Sequence, residues 1–133
     1  MVTVLFACVH NAGRSQIAAG LFNALADPTK ARAMSAGTDP ADRVHPEVLQ
    51  VMAEIGIHLG DVKPQCLTES LARQAQLLVT MGCGEACPII PGLLRDDWQL
   101  VDPKGQTLER VRAIRNEITE RVKALIEERG WSR

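Results

Sequence analysis

The segment VTVLFAC (residues 2–8), followed by VHNAGR (9–14) and SQIAAGLFNALA (15–26), decides the fold. The first run is β-branched and apolar with little alternation, which suits a strand buried on both faces of a parallel sheet. A glycine-containing turn follows. The third segment then places Ile17, Leu21 and Leu25 at four-residue spacing, the stripe of an amphipathic helix. A strand, a glycine turn and a helix in that order open an α/β domain.

The rest of the chain repeats the alternation. ARAMSAG (31–37) reads as a short second strand, and HPEVLQVMAEIG (45–56) puts Val48, Val51, Met52 and Ile55 on one helical face. Pro46 stands in that helix's first turn and Gly56 at its end. CLTESLARQ (66–74) predicts a short helix with Cys66 at its start, QLLVTMG (76–82) a buried strand, and DWQLVDP (97–103) a short last strand. Leu108, Val111, Ile114, Ile118, Val122 and Leu125 recur at threes and fours, so a long closing helix spans 107–129. The expected architecture is a single α/β domain over residues 1–133, a four-stranded parallel sheet with helices on both faces.

With 133 residues the chain can bury one substantial core. A net charge of -1 offers no basic surface for nucleic acid or an anionic membrane. MVTVLFACVHNAG has no basic n-region and does not read as a signal peptide, and no apolar run reaches the length of a membrane span. A cytoplasmic location and a monomer are expected, with neither nucleic acid nor membrane as partner. In a reducing compartment, four cysteines read as catalytic, redox or metal residues rather than as structural disulfides.

In parallel α/β sheets ligands sit at the carboxyl ends of the strands, and Cys8 ends the first one. A turn into a helix N-terminus collects backbone N–H groups and partial positive charge, which favour an anion and a thiolate alike. Val9, His10, Asn11, Ala12, Gly13, Arg14 and Ser15 would then form an oxyanion cradle. Gly13 would let the backbone come close to the anion, and Arg14 supplies a planar fork for two oxygens. Ser15 would donate to the Cys8 sulfur, Asn11 would brace the loop, and His10 is expected to point outward. The plainer alternative is that Cys8 is a small hydrophobe closing a strand.

Two later loops open at the same sheet edge. In GCGEACP (82–88), Cys83 and Cys87 are four residues apart, about 6 Å between Cα atoms on one helical turn and within disulfide reach. Zinc is the rival explanation, but His10, His45 and His58 are the only histidines and none forms a second ligand pair with a cysteine. No metal and no cofactor are expected. Asp102 precedes Pro103, which biases it toward an extended backbone. It is either a simple turn residue or, facing an anion cradle, a general acid.

CVHNAGRSQ (8–16), GCGEACP and DPKG (102–105), in this order, resemble the thioredoxin-coupled arsenate reductases, which share the low-molecular-weight protein tyrosine phosphatase fold. SAGTDP, HPEVLQVMAEIGI and VRAIRNEITERVKALI extend the likeness along nearly the whole chain. The phosphatase branch has proline after the cradle serine and a tyrosine in its Asp-Pro loop. Here Gln16 follows Ser15, Lys104 follows Pro103, and the chain has no tyrosine. The resemblance therefore implies arsenate reduction, with a tyrosine phosphatase working through a Cys8 phosphoenzyme as the alternative.

It further implies a relay. Cys8 attacks arsenic in the cradle, Asp102 protonates the departing oxygen, Cys83 attacks the Cys8 sulfur, and Cys87 resolves that disulfide for thioredoxin to reduce. The closer cysteine spacing departs from better-known members of the group. So does Ala19, which stands near the place where some members carry an acidic potassium ligand.

Overall fold

The computed structural model describes residues 1–82 and 90–133. Cys83 and Cys87 lie outside the described residues. The elements run β1 (Val2–Cys8), α1 (Arg14–Leu25), β2 (Ala31–Gly37), α2 (Pro46–Ala53), α3 (Glu69–Ala72), β3 (Leu77–Thr80), β4 (Leu94–Asp97) and α4 (Leu108–Arg129). The four strands form one sheet in the order β2-β1-β3-β4, and every pairing is parallel. The expected fold class holds. Among the described residues no helix is long and apolar enough to cross a membrane.

Six of the seven β1 residues are buried, as the unalternating run requires of a central strand covered on both sides. Val4 and Phe6 face a core shared with Ile17 and Phe22 of α1, Val48 and Met52 of α2, and Ile114 and Ile118 of α4. Leu5 and Ala7 face the opposite layer, where Leu67, Ala72 and Leu78 close a smaller cluster. Phe6 is fully buried and its ring centroid lies 6.0 Å from Phe22 and 5.6 Å from Trp98. These tilted contacts pin the sheet to α1 and to the segment that follows β4.

Two local expectations need correction. The fourth strand is Leu94–Asp97, not 97–103, and all four of its side chains are exposed. An edge strand with both faces wet carries no apolar signature. The apolar letters that drew attention belong to the next segment, where buried Trp98 packs on Phe6 and donates its backbone N–H to the Thr80 carbonyl at 2.8 Å. Cys66 does not start a helix either. It forms a parallel bridge with Gly37 and is an exposed free thiol, while α3 begins at Glu69 behind a Thr68 cap.

Candidate active site

Cys8 is the last residue of β1, opposite Gly37 of β2, and only 2% exposed. Beyond it the chain turns sharply through Asn11, which has φ 51 and is fully buried. Asparagine tolerates this left-handed conformation better than most residues. The carbonyls of Cys8, Val9, His10 and Ala12 accept from the N–H groups of Thr38, Asp39, Ala41 and His45 at 2.8–3.1 Å. The loop's own acceptors are thus engaged by the neighbouring segment.

Helix α1 starts at Arg14 with Gly13 as its N-cap, no side-chain cap bond and no acidic residue in the first turn. Its first N–H groups have no carbonyl one turn behind them and carry the positive end of the helix dipole. Such an N-terminus favours an anion, and Ser15 of this first turn reaches the Cys8 sulfur.

Ser15 Oγ lies 2.9 Å from Cys8 Sγ, and Asn11 Nδ2 donates to the same Ser15 oxygen at 2.7 Å. Asn11 Oδ1 accepts from the Gln65 backbone N–H at 2.9 Å and from Gln16 Nε2 at 3.2 Å. Ser15, Asn11 and Gln16 are all buried, so the bonds among their side chains and the Cys8 sulfur are made away from water.

The side chain of Arg14 is only 9% exposed, and its guanidinium is held from the far side of the sheet edge. Nη1 donates to the Leu100 carbonyl at 3.3 Å, and Nη2 approaches Asp102 Oδ2 to 3.7 Å. Gly82, just after β3, has φ +99, and a Cβ there would overlap Arg14 Nη1. Asp102 is partly exposed, and its Oδ1 accepts from the Lys104 N–H at 3.0 Å, which fixes the carboxylate in the turn.

Gly13 is also hemmed in from across the sheet edge. A Cβ on it would sit 2.5 Å from Pro103 Cγ, so it is the Asp102–Pro103 turn that presses on this residue. The carboxyl ends of β1, β3 and β4 therefore deliver Cys8, Gly82 and Asp102 to one mouth.

His10 turns away, with Nδ1 3.1 Å from the Asp39 carbonyl oxygen. His45 caps α2 and stands at the rim, its ring close to Gly13. Burial holds the His45 imidazolium below its ordinary value of 6.5, against the opposing charges of Asp102 and Glu47. Among the described residues no group of three or more His, Cys, Asp or Glu side chains could hold a metal ion. Gly82, the Leu100 carbonyl, His45 and Gln65 had no sequence signal for these contacts, and Gln16 stood out only for its departure from proline, because each acts through a neighbour that only the fold supplies.

The model of the low molecular weight phosphotyrosine protein phosphatase family matches residues 3–130. The chain belongs to this family. It is 34% identical over 129 residues to the glutaredoxin arsenate reductase of Synechocystis sp., covering 95% of this chain and 97% of that relative. The solved thioredoxin-dependent arsenate reductase of Corynebacterium glutamicum is similar at 39% identity and a TM-score of 0.84, over 96% of this chain and 61% of that one. The low molecular weight protein tyrosine phosphatase of T. tengcongensis reaches the same TM-score, 0.84, at 26% identity over 96% of this chain and 99% of its own. The family fold is thus shared equally by reductases and phosphatases, while sequence identity is higher to the reductases.

Proposed function

We propose that this family member is an arsenate reductase that uses three thiols in sequence. Cys8 attacks arsenate held by the α1 N-terminus and Arg14, forming an S–As bond. An oxygen leaves as water with a proton from Asp102. The Cys83 thiolate then attacks the Cys8 sulfur, so an S–S bond forms and the S–As bond breaks. Its electron pair stays on arsenic, which departs as arsenite. Cys87 attacks Cys83, frees the Cys8 thiolate and leaves a Cys83–Cys87 disulfide. Two thiols are oxidised for each arsenic reduced.

One observation carries this choice over hydrolysis. Gly82 packs on the Arg14 guanidinium, and in the sequence the second and third cysteines, Cys83 and Cys87, follow it within five residues. A phosphatase needs Cys8, Arg14 and Asp102 and has no use for thiols there. The donor is a dithiol protein, with thioredoxin proposed and glutaredoxin as the comparison that the Synechocystis relative's name invites.

The deciding experiment incubates fully reduced protein with arsenate and no donor, then measures arsenite and maps disulfides. Close to one arsenite per protein with a Cys83–Cys87 bond is expected. Absence of arsenite, with turnover of a phosphomonoester by the same preparation, would establish the phosphatase instead.

A further inference from the structure

Gln16 has no part of its own in the cradle as assigned, yet it is 2% exposed at the very start of α1. The residue is part of the lining of a groove between α1, β2 and the 59–65 segment, together with Asn23, Ser35, Lys63 and Gln65. It therefore stands behind the loop that holds the anion rather than in it. Its Nε2 group donates to two acceptors of one residue, the Asn11 carbonyl at 3.1 Å and Asn11 Oδ1 at 3.2 Å.

Those two oxygens repel each other, and a single NH2 bridging them locks the backbone and the side chain of Asn11 together. The lock sets a direction. The Gln65 backbone N–H can only donate, so it and Gln16 fix which end of the Asn11 amide is oxygen. Asn11 Nδ2 is thereby aimed at Ser15 Oγ. Ser15 has one hydroxyl hydrogen, and with its oxygen already accepting from Asn11, that hydrogen remains for the Cys8 sulfur. Every donor in the series Gln16, Asn11, Ser15 points toward Cys8, an order in which each bond polarises the next and the thiolate receives the sum.

We infer that Gln16 is a positioning residue for the nucleophile, acting through Asn11 and Ser15 to keep Cys8 as a reactive thiolate. The inference rests on Cys8 being the nucleophile of the proposed reaction, but its test needs no substrate. Cys8 alkylation by iodoacetamide is followed by peptide mass spectrometry across pH, with the exposed Cys66 thiol in the same samples as reference.

In Gln16→Met, which keeps the length and loses both donors, the Cys8 pH–rate profile should move up by about one unit. On the acid side of that profile alkylation should then slow by up to roughly tenfold, and Cys66 should be unaffected. Gln16→Glu is the second variant, because its carboxylate cannot donate and sets a negative charge against two acceptors. It should shift the profile in the same direction and further. An unshifted Cys8 profile in either variant, with a native thermal midpoint, would overturn the inference. The arsenite burst of the unmodified protein tests the reaction separately, so a burst with an unshifted profile sinks the positioning role alone. A shifted profile without a burst leaves that role standing and removes the arsenate reaction.

Discussion

Arg14 and Asp102 face each other across the mouth of the cradle with 3.7 Å between Nη2 and Oδ2. One is nearly buried and the other is partly exposed, so the guanidinium is a fixed part of the wall and the carboxylate a group that meets solvent. In the proposed reaction these are different jobs, binding for Arg14 and proton transfer for Asp102. Asp102→Asn keeps an oxygen for the Lys104 N–H and removes the proton. Single-turnover arsenite formation should fall by about 10²–10⁴-fold, while phosphate affinity measured by calorimetry stays within a few-fold. Arg14→Lys should do the reverse, weakening phosphate binding first because the planar fork is lost. Equal losses of both quantities in Asp102→Asn would mean that the carboxylate only holds Arg14.

Gly82 is the floor under that guanidinium. Its φ of +99 already disfavours a side chain, and a Cβ would occupy the space of Nη1. Backbone strain of this kind costs about 1–3 kcal/mol, and the arginine must also move. Gly82→Ala should lower the thermal midpoint by several degrees and weaken phosphate binding by about tenfold or more, with Cys8 still present and alkylatable. Unchanged phosphate affinity would show that Arg14 has freedom the packing does not suggest.

Much of this site was legible in the chain because its parts are local. Cys8, the turn and the start of α1 are contiguous, and a buried strand followed by glycine and an amphipathic helix prescribes the cradle by backbone geometry alone. The parts that were not legible are relations across the sheet. Gly13 was expected to let an anion come close, but that Pro103, 90 positions later in the chain, also presses on it could not be read from the sequence. Gln16 read only as a departure from proline, since its acceptors on Asn11 depend on a left-handed turn that no periodicity announces. The β4 strand was misplaced for a related reason, because an edge strand with four exposed side chains owes its existence to β3 rather than to its own pattern.

The two later thiols are separable by chemistry. With Cys87→Ser, the first transfer still has both its sulfurs, so one equivalent of arsenite should form and a Cys8–Cys83 disulfide should accumulate. With Cys83→Ser no electrons reach arsenic through the chain, and arsenite should be absent although phosphate binding is intact. Both variants should lose thioredoxin-supported turnover. Continued turnover of the double variant with thioredoxin as sole donor would dismiss the relay.

His45 makes the fold sensitive to mild acid. Burial of the ring holds its folded-state value below 6.5, with Lys104 and His10 adding to the effect and the Asp102 and Glu47 charges opposing it. Between the folded value and about 6.5 the unfolded chain therefore binds more protons than the folded one, so stability rises with pH. The contribution is complete above about 6.5 and is lost as pH falls through the folded value. Thermal midpoints should decline on acidification from pH 7 to 5, and His45→Gln should flatten that slope. An oxyanion in the cradle, near the Gly13 that this ring adjoins, would favour the charged imidazole. Sulfate keeps the same charge across this range, so it should raise the midpoint more at pH 5.5 than at pH 7.5 in the unmodified protein. In His45→Gln the difference should vanish. A sulfate effect independent of pH in both proteins would place the charge of His45 outside the field of the cradle.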